Sequence, residues 1–224
     1  MLYMLDTADL SAIRHCNEFY PLAGVTTNPS IIAKEKTEFW PLLEEIRAII
    51  GKEKMLHVQV TAKRAEGIVE EAKLLKARLG GAFYAKIPIS EEGLKATMML
   101  HNIGIKVTMT AIFSPAQAML AAEAGASFVA PYVNRLDNII ADGTNVVAEI
   151  VEEFQKHGLF TKVLAASFKN AEQVHKCALC GCHSVTVPSD ILRSLISLPM
   201  TDSAVAGFDR DWASVYGDKT IREL

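Results

Sequence analysis

Lys86 interrupts a run that is otherwise apolar, Phe83-Tyr84-Ala85-Lys86-Ile87-Pro88-Ile89. A strongly hydrated ammonium loses much of its solvation in such a strand unless it is paired or becomes neutral. A lysine amine stripped of water is a nucleophile that condenses with a carbonyl to form an imine. The ordinary alternative is a lysine at a strand end whose stem lies on the sheet and whose head reaches water. Ten further polar residues lie inside or just after apolar runs: Asp6, Thr26, Asn28, Gln59, Thr108, Thr110, Tyr132, Arg135, Ser167 and Lys169. Carboxylate, phenol, hydroxyl and amide groups move protons and hold hydroxyls. A guanidinium fork, a hydroxyl and a point charge suit a phosphoryl or another anionic group. Each also has a plain reading: Asp6 as the N-cap of the first helix, Tyr132 as a rim aromatic with a wet hydroxyl, and the cations as solvated surface.

What gives these residues a common meaning is where they fall along the chain. Short apolar runs recur at Leu2 to Leu5, Leu22 to Val25, Leu56 to Val60, Phe83 to Ile87, Ile105 to Met109, Phe128 to Ala130, Val163 to Ala166 and Ser184 to Val187. Between them lie amphipathic stretches such as Ala65 to Leu79 and Ser114 to Ala124, the latter opened by an N-cap serine and a proline at the first helical position. Alternation of this kind predicts repeated βα units, and eight parallel strands close a (β/α)8 TIM barrel. The polar residues then stand within strands or at their C-terminal ends, the face where such barrels carry chemistry. An open doubly wound sheet is the competing fold, disfavoured because no Gly-rich dinucleotide loop follows the first strand. The stretch 202–224 carries Phe208, Trp212, Val215 and Tyr216 at helical spacing after the last strand, and predicts an extra C-terminal helix packed on its own barrel or on a neighbouring subunit.

Half of the 224 residues are hydrophobic, enough for one sizeable core, and no linker divides residues 1–224, so one barrel domain is expected. A formal net charge of -3, with both signs interspersed, offers no basic face for nucleic acid and no polybasic membrane anchor. No apolar run approaches a membrane span, and Asp6 and Asp9 follow the first apolar run too soon for a signal peptide, so the chain reads as soluble and cytoplasmic. Cys177, Cys180 and Cys182, with His175 and His183 nearby, raise zinc, but the two ligand pairs separated by a loop are missing, and core-filling thiols around a helix that ends at Gly181 are favoured. No metal is expected.

Five ordered stretches carry a resemblance: Leu5-Asp6-Thr7-Ala8, Gly24-Val25-Thr26-Thr27-Asn28-Pro29-Ser30, Ala85-Lys86-Ile87-Pro88, Ala130-Pro131-Tyr132-Val133-Asn134-Arg135 and Ala165-Ala166-Ser167-Phe168-Lys169. Together they resemble the transaldolase family from end to end, and most closely its short branch, which includes fructose-6-phosphate aldolase. The resemblance implies a (β/α)8 barrel, a Schiff-base lysine on the fourth strand, no cofactor, a sugar phosphate substrate and homo-oligomers, pentamers or decamers. It implies that Lys86 is the Schiff-base lysine, that Asp6 and Asn28 hold sugar hydroxyls, and that Gln59 and Thr110 position a catalytic water. Tyr132 matches the aromatic position where the aldolases use a phenol for acid-base work. Arg135, Ser167 and Lys169 match the phosphate positions, with Thr26 among the residues around the substrate.

Gln59 and Tyr132 stand where transaldolases resemble one another in having Glu and Phe, which favours an aldolase cleaving the C3–C4 bond of fructose 6-phosphate. Thr108 pulls the other way, since a hydroxyl there would bond the C1 hydroxyl of the three-carbon unit and retain it for transfer. A sulfonated ketose is an alternative anion carrier. A regulatory barrel that binds sugar phosphates without turnover is the reading of another class. A metal-dependent aldolase is disfavoured by histidines without ligand spacing at strand ends.

Overall fold

The computed structural model describes residues Met1–Leu224 and confirms the expected (β/α)8 barrel. Its strands are β1 (Leu2–Asp6), β2 (Leu22–Thr26), β3 (Met55–Gln59), β4 (Phe83–Pro88), β5 (Val107–Ile112), β6 (Phe128–Pro131), β7 (Lys162–Ala165) and β8 (Ser184–Val187). All neighbours are parallel, and β1 closes on β8 with Leu2 to Leu5 opposite Ser184 to Val187. The closed sheet excludes the open doubly wound alternative. The helices are α1 (Leu10–Phe19), α2 (Pro29–Lys34), α3 (Phe39–Ile50), α4 (Ala65–Leu79), α5 (Glu91–Asn102) and α6 (Pro115–Glu123). They continue as α7 (Val133–Asp137), α8 (Gly143–Lys156), α9 (Ala171–Leu179), α10 (Ser189–Ser194) and α11 (Pro199–Tyr216).

Strand residues alternate between two environments, as the pleat requires. Outward-facing Leu5, Val25, Leu56, Val58, Ala85, Ile87 and Met109 pack under the helices in one cluster of 45 buried residues. The apolar positions of α4, Ile68, Val69, Ala72, Leu75 and Leu79, meet that cluster at helical spacing, so its ends match the sequence pattern. Inside the barrel the order is different. Met4, Tyr84, Phe128 and Leu164 form a small apolar plug, and above it the interior turns polar. Gly24 allows the barrel to close there: a Cβ at this position would lie 2.2 Å from the Met55 carbonyl oxygen.

Most strand ends lie within a residue of the sequence expectation, and the fifth strand departs furthest. Ile105 lies outside β5, which runs on to Ile112, because Ala111 takes φ +59° and makes a bulge between Thr110 and Ile112 against β6. Such a conformation at a non-glycine residue is strained and is concentrated at functional strand ends. The C-terminal helix begins at Pro199 rather than 202 and ends at Tyr216, followed by a short 3-10 turn at Ile221–Glu223. It buries no residue against its own barrel, and Trp212 and Tyr216 stack on each other with ring centroids 4.6 Å apart. No helix is long and apolar enough to cross a membrane.

The cysteines behave as core filler at the end of α9. Burial raises the thiols of Cys177 and Cys182, the latter to about 11, so they are poor nucleophiles at neutral pH. No group of three or more His, Cys, Asp or Glu side chains is arranged to hold a metal ion.

Candidate active site

The C-terminal mouth of the barrel opens into a cavity of about 690 Å³ that collects Asp6, Asn28, Gln59, Lys86, Tyr132, Arg135, Ser167 and Lys169. Eight of the eleven residues singled out from sequence therefore line one space, although they come from six different βα units. Thr26, Thr108 and Thr110 lie in the barrel wall just outside it, all buried.

Lys86 sits in a strand whose other residues, Pro88 apart, are buried, and is itself only 3% exposed. That overturns the snorkelling alternative. Its Nζ makes one protein hydrogen bond, to the Thr27 carbonyl oxygen at 3.3 Å, and no ion pair with any carboxylate. In register beside it stand Gln59 on β3 and Thr108 on β5. The result is an amine out of bulk water, with donor capacity unspent, facing a polar cavity.

Asp6 does not cap the first helix, because Asp9 does so, accepting from the Ser11 and Ala12 amides. The Asp6 carboxylate instead accepts a 2.6 Å bond from the Thr26 hydroxyl, which in turn lies 2.7 Å from the Thr186 hydroxyl. A relay of two threonines across β8, β2 and β1 thus fixes the carboxylate at the cavity wall. Asn28 is divided between two tasks: its oxygen caps α2 by accepting from Ile31, which leaves its amide NH2 beside the cavity.

Tyr132 follows β6, and its hydroxyl lies 3.1 Å from that of Thr110 rather than in free solvent. The bulge at Ala111 turns this part of β5, and Phe113 meets the Tyr132 ring edge to face at 5.6 Å. The Arg135 guanidinium stands 4.8 Å from the centroid of the same ring. Gln59 makes no side-chain hydrogen bond and is not bonded to Thr110, its partner in the expected water-holding pair. Thr108 lies deeper: its hydroxyl is 2.8 Å from His57 Nδ1, away from the cavity.

The cationic end is built from two elements tied together. Arg135 on α7 and Lys169 before α9 are exposed, and Ser167 adopts φ +64° between them. The Val133 and Asn134 amides donate to the Ala166 and Ser167 carbonyls at 2.9 Å. Gln173 completes the link, accepting from the Lys169 amide at 2.8 Å and donating to Asp137 at 2.6 Å. Sequence reading missed Gln173 because a helical glutamine carries no signal of its bonds. It also missed Lys34, a further cation on the cavity wall, since nothing in the sequence places the end of α2 at the mouth.

His57 was likewise not singled out for this interior. It is fully buried, stacked on Tyr84 with centroids 4.5 Å apart and planes 7° from parallel, and its Nε2 has no partner. Burial, then the charges of Lys86 and Arg47, push its pKa from 6.5 down to about 3. The fold therefore holds a neutral imidazole, while the unfolded chain takes up a proton below about pH 6.5. Stability is expected to be level well above that pH and to fall as pH drops towards 3, by about 2 kcal/mol between pH 6.5 and 4.5 from this group. Urea unfolding at the two pH values measures it; a His57→Phe variant with the same pH slope as the parent would contradict it.

The C-terminal mouth of the closed β/α barrel thus brings together a buried lysine, whose amine can condense with a carbonyl, a tethered carboxylate, a phenol and cations that can meet an anion. The family model for transaldolase and fructose-6-phosphate aldolase matches residues 3–220, and the chain belongs to that family, an enzymatic one. Solved structures of flavocytochrome b2 variants share the fold at 13% identity. One with sulfite bound superposes with TM-score 0.60, over 84% of this chain and 56% of that one. One with benzoylformate gives 0.61, over 84% and 57%. The chain spans little more than half the length of those flavocytochromes, and the likeness extends to the barrel alone.

Proposed function

We propose that the protein is a class I aldolase that cleaves fructose 6-phosphate to dihydroxyacetone and glyceraldehyde 3-phosphate through an imine on Lys86, without a cofactor. The observation that carries this reading is the buried Lys86 amine, unpaired by any carboxylate and open to a polar cavity. Attack of the amine on the C2 carbonyl and loss of water give an iminium that draws electrons from the C3–C4 bond. The C4 hydroxyl then loses its proton, through the Tyr132 phenol or a water held near Gln59, Thr110 and that phenol, as the C3–C4 bond breaks. The aldehyde leaves, the enamine is protonated at C3, and hydrolysis frees dihydroxyacetone and the amine. Asp6 and Asn28 hold sugar hydroxyls, and Arg135, Ser167 and Lys169 receive the phosphate.

A transaldolase, which keeps the three-carbon unit until an acceptor arrives, is the second reading. Thr108 was the residue that favoured it. Its hydroxyl is engaged with His57 and the residue is not part of the cavity lining, which supports release over retention. Assays of fructose 6-phosphate alone and with erythrose 4-phosphate separate the two: free dihydroxyacetone without acceptor supports the aldolase, and turnover only with acceptor supports the transaldolase.

Arg135→Ala is expected to raise KM for fructose 6-phosphate about 10- to 100-fold, as for a charge-assisted bond to phosphate. Addition of dihydroxyacetone to unphosphorylated aldehydes should be nearly unaffected. Equal loss for both substrate types would contradict the phosphate role. A sulfonated ketose tested beside the phosphate identifies the preferred anion.

The aromatic face of α11, with Phe208 69% and Val215 71% exposed, is covered by a neighbouring subunit in a homo-oligomer of ring type. Multi-angle light scattering of the full chain should give an oligomer over a range of concentrations, and the chain cut before Pro199 should give smaller species. A full-length monomer throughout would overturn this.

A further inference from the structure

The barrel has a second opening at the N-terminal ends of its strands, the far side from Lys86. A cavity of about 730 Å³ lies there, comparable in size to the one at the active end. Its floor is the underside of the interior plug, where Met55, Tyr84 and Phe128 face it and the last two rings meet edge to face at 5.3 Å. In a barrel whose interior is filled by side chains, this end ordinarily serves stability.

Two features of this mouth are unexplained by packing. Tyr84 is only 7% exposed, yet its hydroxyl bonds to no protein group and borders the cavity rather than being sealed in. A buried phenol ordinarily finds a partner. Lys106 and Lys162 also stand at the rim, Lys106 with its Nζ 5.4 Å from the Tyr84 ring centroid, and neither makes an ion pair. Glu123, the one carboxylate of the lining, leaves both lysines free.

We propose that this mouth is a second small-molecule site, taking an aromatic anion whose flat apolar body rests on the plug and whose charged group meets Lys106 and Lys162. The Tyr84 hydroxyl donates to an acceptor on the ligand. Phe160, 99% exposed beside the opening, supplies apolar cover for the ring. The site does not depend on the reaction proposed for Lys86. It does touch the layer beneath that residue, because Tyr84 stacks on His57, His57 bonds Thr108, and Thr108 is the register neighbour of Lys86.

Calorimetric titration with phenyl phosphate tests the site, using full-length protein with Arg135→Ala and Lys169→Ala to remove anion binding at the active end. Saturable binding of one molecule per chain is expected, with inorganic phosphate at least about tenfold weaker because it buries no ring. Adding Lys106→Glu should weaken phenyl phosphate by about tenfold or more, and Lys162→Glu serves as a second reporter if that protein folds poorly. In the otherwise native chain, Lys106→Glu should leave sugar cleavage unchanged. Absence of saturable binding, equal affinity for inorganic phosphate, or binding indifferent to both lysine substitutions would overturn the proposal.

Discussion

Lys86→Met should lower cleavage of fructose 6-phosphate by about 10⁴-fold or more, because the other lysines at the mouth, Lys34 and Lys169, are exposed and hydrated and do not replace the buried amine in the covalent step. The fold should survive the change. Lys86 makes a single 3.3 Å hydrogen bond and no ion pair, so removing its amine breaks no network. The methionine stem occupies similar volume among the buried residues of β4, so it fills the space of the lysine stem without leaving a cavity. The thermal midpoint should thus hold or rise while turnover disappears. A rate within tenfold of the parent would contradict the assignment, and an unfolded variant would show that the amine has a structural role the geometry does not contain.

Tyr132→Phe should reduce kcat by about 10²- to 10³-fold with KM little changed, since a positioned proton carrier contributes on the order of 10²- to 10⁴-fold. The substitution removes the hydroxyl that meets Thr110 at 3.1 Å and keeps the ring that faces Arg135 and Phe113. Imine formation on Lys86 should persist, because the phenol is assigned to proton transfer at the C3–C4 cleavage step. Trapping of the imine together with slow cleavage is the expected pair of results. Loss of both would place the phenol in substrate binding instead, and unchanged kcat would remove it from the proton path.

Much of this was legible before any coordinates, for identifiable reasons. Parallel strands buried on both faces read as apolar runs, so a polar residue inside one, Lys86 above all, stands out against its neighbours. Ser184 to Val187 and the α4 helix were bounded correctly because turn residues and helical periodicity marked both ends. Ile105 was misplaced because an apolar residue before a strand looks like its first residue, and a bulge at Ala111 leaves no compositional trace. Asp6 and Asp9 compete for the same cap from sequence, and only the backbone shows that Asp9 takes it. Interior polar pairs such as His57–Thr108, and the Gln173 link behind the cationic end, depend on contacts between residues far apart in the chain, which no local pattern reports.

The most direct measurement is reduction by borohydride in the presence of fructose 6-phosphate or dihydroxyacetone, followed by peptide mass analysis. A stable adduct carrying the three-carbon unit, confined to the peptide that contains Lys86 and absent from Lys86→Met, is the result this account predicts. An active protein that stays unmodified under those conditions, or one modified at a different lysine, would contradict it.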